Sequence, residues 1–374
     1  MKILIIGTGL SGGCIARLLK DRNHDVKLIE KQRIIGGLCF TKISPNGIKY
    51  EPYGVHVFHS GNPKIIKFIT KFDKFNGYVH KRGLIINGKL FPLPLTKESL
   101  YWFENKDQIF QELQNRSSEI DNTNFETACI SIFGETLYQY YIKNYSMKMW
   151  GMDPKKLTAE WVPKRLELRE KEDESYFGSE WQGLPKNGYT FLINQIIKGI
   201  PVKLNTFIHN PEDYDIVVSS APLDDIMQLK FGKLEYRSLK FDYKINEIWE
   251  SQYMGTINLP QHPKYIRKCN FKIPHKQKSP QNWIQYQEPA ATNKDNLPMY
   301  PISTKENQYL FNRYLKEVCK TKNICPIGRL GLYKYLDMDK VIEIAFDMLP
   351  IIENYLNSSP EERYNNINEI RNKY

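Results

Sequence analysis

Cysteine and histidine are scarce in this chain, and the few present are badly spaced for metal or disulfide chemistry. The six cysteines (Cys14, Cys39, Cys129, Cys269, Cys319 and Cys325) form no CxxC pair and share no Cys/His ligand spacing. That excludes the usual zinc modules and predicts separate, reduced, mostly buried thiols. Of the seven histidines only His56 and His59 form a close pair, and without a third ligand nearby no metal site is expected. Also missing is any apolar run near the ~20 residues that span a bilayer. The N-terminal run Ile3–Ile6 is too short for a signal-peptide core and meets glycine at once. The expectation is therefore no membrane, no targeting signal and a cytoplasmic protein. Negative charge is in deficit, leaving a net +11. The lysines are spread along the chain and no nucleic-acid motif accompanies them, so the excess reads as a solvated surface, or as a field that attracts a nucleotide diphosphate, with no nucleic-acid partner. No Ser/His/Asp or paired-carboxylate arrangement points to a protein nucleophile.

What is present fits an enzyme of two or three subdomains: 374 residues, 41% apolar and 25% charged. The organising stretch is the first thirty residues. Lys2 to Ile6 is a continuous apolar run of the kind that makes a buried parallel strand, followed by Gly7-Thr8-Gly9-Leu10-Ser11-Gly12, a helical pattern through Leu19, and a second strand, Val26 to Ile29, ending in Glu30. Gly7 permits the tight turn, Gly9 a close approach to a pyrophosphate, and Gly12 close helix–strand packing. The helix N-terminus offers free N–H groups to phosphate, and Glu30 a carboxylate to a ribose. A strand before this GxGxxG, a helix after it and an acid at suitable spacing make it a dinucleotide site.

Two further stretches refine that site. Gly36-Gly37-Leu38, shortly after Glu30 and with Lys31 and Arg33 between, resembles the loop that flavoproteins of the amine-oxidase and glutathione-reductase type wrap along FAD. No second GxGxxG marks a nicotinamide site. Tyr53-Gly54-Val55-His56-Val57-Phe58-His59-Ser60 is open to three readings: metal ligands, a flavin-contacting loop, or packed core.

Taken with Lys89–Pro94, Gly134–Tyr138, Tyr145 through Trp150-Gly151, Tyr176-Phe177, Gln182-Gly183, Gly188–Thr190, Leu234–Leu239 and Gly328–Leu330 with Tyr333–Tyr335, the chain resembles the UDP-galactopyranose mutases along nearly its whole length. The resemblance implies a flavin-dependent isomerase that interconverts UDP-galactopyranose and UDP-galactofuranose, with reduced FAD acting through a flavin N5–sugar adduct. It places the uracil contacts at Tyr145 and Trp150, the diphosphate arginines at Arg165 and Arg267, and the diphosphate tyrosines at Tyr176, Tyr300 and Tyr335. Asp337 falls near the sugar and His56 over the flavin, so the resemblance makes His56, Arg165, Arg267 and Asp337 the catalytic set. The flavin contacts it implies are Gly7, Gly9, Leu10, Ser11, Gly12, Glu30, Lys31, Gly37, Leu38, His56, His59, Leu204, Arg329, Asp337 and Met338. It also implies a UDP-sugar substrate, a reductant such as NAD(P)H, and a homodimer. Without the resemblance, a core aromatic is the lesser reading of Trp150, whereas a surface ion-pair residue is the commoner reading of each arginine.

Some positions depart from the family pattern. One residue is inserted between Trp150 and Arg165, Leu336 replaces a second tyrosine, and Asn270 stands near a glutamate of bacterial members. The charged run Glu167–Glu174 reads as a solvated segment or as one that alters lid closure. The fold class expected is α/β: an FAD-binding Rossmann-like domain (1–76, 184–230 and 320–374) with a helical insert (97–175) carrying the uridine site and a mobile loop. An antiparallel β-sheet domain (77–96 and 231–319) completes it. Val202–Leu204 and Asp215–Ser219 are read as later strands, and Ser358–Tyr374 as a frayed tail or exposed helix. The competing functions are a mutase for UDP-N-acetylgalactosamine or a related UDP-sugar, an amine-oxidase-like flavin oxidoreductase, and a non-catalytic sugar-nucleotide binder that retains FAD.

Overall fold

The computed structural model describes residues 1–374 apart from 160–161, 163–165, 171–174, 180, 209–212, 294–295 and 322. The apolar run at the N-terminus forms strand β1 (Lys2–Ile6), in which Ile3, Leu4 and Ile5 have no exposed surface. A strand so covered on both faces belongs at the centre of a parallel sheet. It pairs in parallel with β2 (Asp25–Ile29) on one side and with Ile216–Ser219 on the other. Val202–Lys203 and Ile324–Pro326 complete the five-stranded sheet at its edges, also in parallel. Helix α1 (Leu10–Asp21) makes the first crossover, turning Cys14, Ile15 and Leu19 into the core. The architecture is α/β, with a Rossmann-like sheet as its first layer.

A second, seven-stranded sheet runs in the order Tyr300–Pro301, Tyr236–Ile245, Trp283–Ala291, Arg267–Asn270, Thr256–Asn258, Arg82–Ile86, Lys89–Leu93. Every pairing is antiparallel except that of Arg82–Ile86 with Thr256–Asn258. One face of this sheet, through Leu84, Ile86, Phe91 and Leu239, packs on a helical insert whose core contains Phe125, Cys129, Phe133, Leu137 and Tyr141. These insert residues follow the spacing of one helix face. Asn124 opens the helix Phe125–Leu137 with a reciprocal cap to Thr127. A π-helical stretch (Tyr138–Lys143) then leads into Asn144–Trp150. That last helix stops at Gly151, where the Arg237 guanidinium donates to the Met149 carbonyl at 2.7 Å.

One expectation needs correcting and another is narrowed. Residues 305–319, assigned with the antiparallel sheet, belong to the helix Lys305–Thr321, whose Phe311, Tyr314, Leu315 and Val318 join the core of the parallel sheet. Its apolar residues recur at three and four, the helical period, which the surrounding β-like composition obscured. Of the two readings of the tail the helical one holds: Pro360–Lys373 is a helix capped by Ser359 and Glu362. Ile367 and Arg371 are buried in it, and Arg371 Nε donates to the Leu332 carbonyl at 2.8 Å. All six cysteines are buried and free. Among the described residues no helix is long and apolar enough to cross a membrane.

Candidate active site

Two clefts meet where the sheets adjoin. The smaller, about 610 Å3, is lined by Gly7, Gly9, Leu10, Ser11, Glu30, Lys31, Gly37, Leu38, His56, Arg329 and Met338. Its floor is shaped by close approaches of backbone. Gly7 has φ +99°, and a Cβ on Gly12 would lie 1.9 Å from the Gly7 carbonyl oxygen, so the helix begins hard against the turn. A Cβ on Gly37 would lie 3.0 Å from the Gly9 Cα, and the two glycine loops thus form one cradle. No side chain caps the N-terminus of α1 and its first turn carries no acid, which leaves its N–H groups for an anionic ligand. These features fit a dinucleotide's pyrophosphate.

Glu30 closes the loop from the far side. Its Oε2 accepts from the backbone N–H and the hydroxyl of Thr8, both at 2.9 Å, and its Oε1 from the Gln32 N–H at 2.9 Å. Thr8, which sequence reasoning passed over, therefore ties the glycine turn to the ribose acid. Leu204 does not line the cleft but packs against the core, whereas Phe207, three residues on, does line it. Gly12 acts beneath the cradle, Asp337 lines the larger cleft, and His59 lies behind Asp337 and lines neither.

His56 Nδ1 donates to the Gly54 carbonyl at 2.6 Å, and the His56 carbonyl accepts from the Tyr189 hydroxyl at 2.6 Å. Burial lowers the imidazole pKa below its ordinary value, helped by Arg329 and opposed by Glu51, so the ring is neutral with Nε2 as an acceptor. The pairing of Phe58–Ser60 with Trp181–Gly183 brings His59 beneath Phe177, with ring centroids 3.6 Å apart. His59 Nε2 lies 3.8 Å from Asp337 Oδ2, and Asp339 joins them in a group whose ligand atoms span 4.8 Å. Lys340 Nζ, 3.6 Å from the Asp339 carboxylate, already supplies a cation there.

The larger cleft, about 1100 Å3, gathers Tyr145, Trp150, Tyr176, Arg267, Tyr300, Tyr335 and Asp337. They come from several elements, Tyr145 and Trp150 from one helix and Tyr335 and Asp337 from one extended stretch; Arg82, Phe125, Tyr141 and Asn258 line the cleft as well without having been singled out from the sequence. Arg165 lies outside the described residues, as does much of the charged run 167–174. Arg267 is fixed from two sides: its Nη2 donates to the Tyr145 hydroxyl at 2.6 Å and its Nε to Asn258 Oδ1 at 3.1 Å. Burial works against its charge, but Tyr145, Cys269, Tyr300 and Tyr176 around it leave the pKa above its ordinary value. It is a half-buried cation with no carboxylate partner among the described residues, which suits it to an anionic ligand.

The extended stretch Tyr335–Asp337 divides the clefts. Tyr335 and Asp337 face the larger, while Leu336 and Met338 line the smaller. Arg329 straddles them. It donates to the Leu336 carbonyl at 2.7 Å and lies over the Tyr335 ring at 4.8 Å and the Tyr300 ring at 5.5 Å. A dinucleotide cradle opening beside an arginine- and tyrosine-lined cleft defines an enzyme that brings a bound cofactor against an anionic substrate.

Comparison with known proteins narrows the class. Residues 140–335 match the family model described as UDP-galactopyranose mutase, and residues 5–72 match an NAD(P)-binding Rossmann-like domain. The chain is 34% identical to a UDP-galactopyranose mutase of Mycoplasma genitalium and 32% to a probable one of Klebsiella pneumoniae, with 92% of each chain covered in both cases. It is 30% identical to a dTDP-fucopyranose mutase of Escherichia coli, over 92% of this chain and 97% of that protein. A crystal structure of reduced UDP-galactopyranose mutase superposes with a TM-score of 0.79 at 16% identity, covering 99% of this chain and 98% of that one. The chain belongs to the UDP-galactopyranose mutase family; it is a flavin-dependent sugar mutase, an isomerase.

Proposed function

We propose that the enzyme interconverts UDP-galactopyranose and UDP-galactofuranose with reduced FAD in the smaller cleft. The observation that carries this reading is Arg267, a half-buried guanidinium with no carboxylate partner among the described residues, set among Tyr145, Tyr300 and Tyr176 in the larger cleft. When bound, reduced FAD supplies an electron-rich N5 nitrogen as nucleophile toward the sugar's anomeric carbon. The chain's own residues position and stabilise. Arg267 takes up negative charge as the bond between anomeric carbon and diphosphate breaks, and Tyr145 and Asn258 hold its fork so that nothing must reorganise. The same contacts, with Tyr300, Tyr335, Tyr176 and Arg165, retain UDP for its return to the ring-contracted sugar. Trp150 offers a face on which uracil stacks. His56, neutral, offers Nε2 as an acceptor beside the flavin, and Asp337 with His59 faces the sugar. The ring contraction has no net redox change; NAD(P)H is the reductant that readies the flavin, and a homodimer is part of the same proposal.

The test is chromatography of UDP-sugars after incubating UDP-galactofuranose with FAD-loaded protein, with and without dithionite. UDP-galactopyranose should form only after reduction. Protein that carries flavin and binds UDP yet leaves the furanose unchanged would sink the galactose assignment. The match to a dTDP-fucopyranose mutase over 97% of its length favours a second reading, a dTDP-linked fucose, and that furanose belongs in a parallel reaction. UDP-N-acetylgalactofuranose makes the third arm.

A further inference from the structure

The register of the seven-stranded sheet sets a second arginine on the face that carries Arg267. Arg82 and Leu84 are two apart on one strand, Leu84 pairs with Asn258, and Asn258 pairs with Arg267. Side chains alternate along strands, so all four point to the same side, and both arginines line the larger cleft. Arg82 is half-buried, and its guanidinium lies on the face of Tyr176, 4.0 Å from the ring centroid. Its Nε donates to His80 Nε2 at 2.9 Å. Its two Nη groups have no hydrogen-bond partner, and the guanidinium no carboxylate, among the described residues.

His80 is built to hold that arginine. The ring is 1% exposed and lies near the Phe177 ring, and its backbone N–H is fixed by Gln182 Oε1 at 3.0 Å. Burial, and then Arg82, Arg267 and His59, push its pKa well below the ordinary value. A neutral imidazole that accepts at Nε2 must carry its proton on Nδ1, and Nδ1 is buried without a partner. One ring nitrogen is thus left unsatisfied while the other orients Arg82. Two half-buried guanidinium groups on one sheet face, neither with a carboxylate partner among the described residues, make a site suited to an anion.

We infer that Arg82 is a further phosphate-contacting residue of the sugar-nucleotide cleft, and that neutral His80 is the residue that positions it. This deepens the substrate reading above and rests on it. The stack on Tyr176 and the bond to His80 fix the plane of the guanidinium, so its remaining N–H edge meets phosphate oxygens at little entropic cost.

The experiment compares UDP, UMP and uridine binding to FAD-loaded full-length protein by calorimetry, with the flavin spectrum as the check on folding. Arg82→Gln should weaken UDP at least about tenfold while uridine binds as to wild type. Arg82→Lys, which keeps charge but loses the fork, should fall between. His80→Leu should weaken UDP severalfold, and His80→Gln, which still offers an acceptor, should recover much of it. Arg82→Gln binding UDP with wild-type affinity, or losing uridine as strongly as UDP, would overturn the inference alone. Wild-type protein that binds no UDP would overturn it together with the substrate reading.

Discussion

The cofactor cleft takes its cradle from residues 7–39, one nearly continuous stretch in which backbone does the binding. The sugar-nucleotide cleft draws its side chains from Arg82, the helix that carries both Tyr145 and Trp150, Arg267, Tyr300 and Tyr335, segments far apart in the chain. The first depends on what is missing, since any Cβ at Gly12 or Gly37 meets backbone. The second depends on what is present, namely arginines held by tyrosine, asparagine and histidine. A backbone cradle fails by steric intrusion, all at once. A side-chain cleft fails by degrees, one contact at a time.

That contrast can be broken or sharpened by substitution. Gly12→Val should have the largest effect. The new side chain starts 1.9 Å from the Gly7 carbonyl, and purified protein should carry essentially no flavin by absorbance. Full flavin loading would show that the turn can move and that the cradle is less rigid than its contacts indicate. Arg267→Ala should keep flavin but lower kcat roughly a hundred- to a thousandfold, the scale for removing one charge-stabilising donor. Single-turnover kinetics would check it, and a change confined to KM would mean that the arginine binds without stabilising charge. Trp150→Ala should weaken UDP binding by about 1–3 kcal/mol, as loss of one base stack does, again with flavin retained. Calorimetry would read it.

The smallest effect concerns protons. His56 and His80 both have folded pKa values below their ordinary one, chiefly through burial. The unfolded chain takes up those protons below a pH of about 6.5 and the folded one does not. Stability that is complete above that pH is therefore lost as pH falls through it. His80→Gln should flatten this slope by at most about 1.4 kcal/mol per pH unit, measured as urea midpoints across the range. An unchanged slope would show that His80 is protonated in the folded state.

Much of the cofactor site could be read from the residues alone. Gly7, Gly9, Gly37 and Glu30 stand where a strand–turn–helix unit needs them, because those requirements are local. Thr8 escaped notice because its role depends on Glu30 folding back 22 residues later to meet it. Leu204 was misplaced relative to Phe207 because a two-residue strand leaves the exit path of the chain undefined. Tyr145, Trp150, Arg267, Tyr300 and Tyr335 were reached by family likeness rather than by chemistry, and the structure does bring them to one cleft. Arg82 and Asn258 had no signal. A lone arginine or asparagine in a strand looks like any other until its neighbours are known, and theirs come from a parallel pairing between residues 82–84 and 256–258.

The sequence by itself determined the parallel α/β core, the glycine turns and the helix N-terminus aimed at a cofactor, since hydrophobic period and backbone sterics act within a few residues. Only tertiary structure decided which arginines lose their counter-ions, which histidines stay neutral and which ring each guanidinium lies against. Those properties arise when distant strands align and exclude water, because desolvation and Coulomb forces depend on neighbours in space and not on order along the chain.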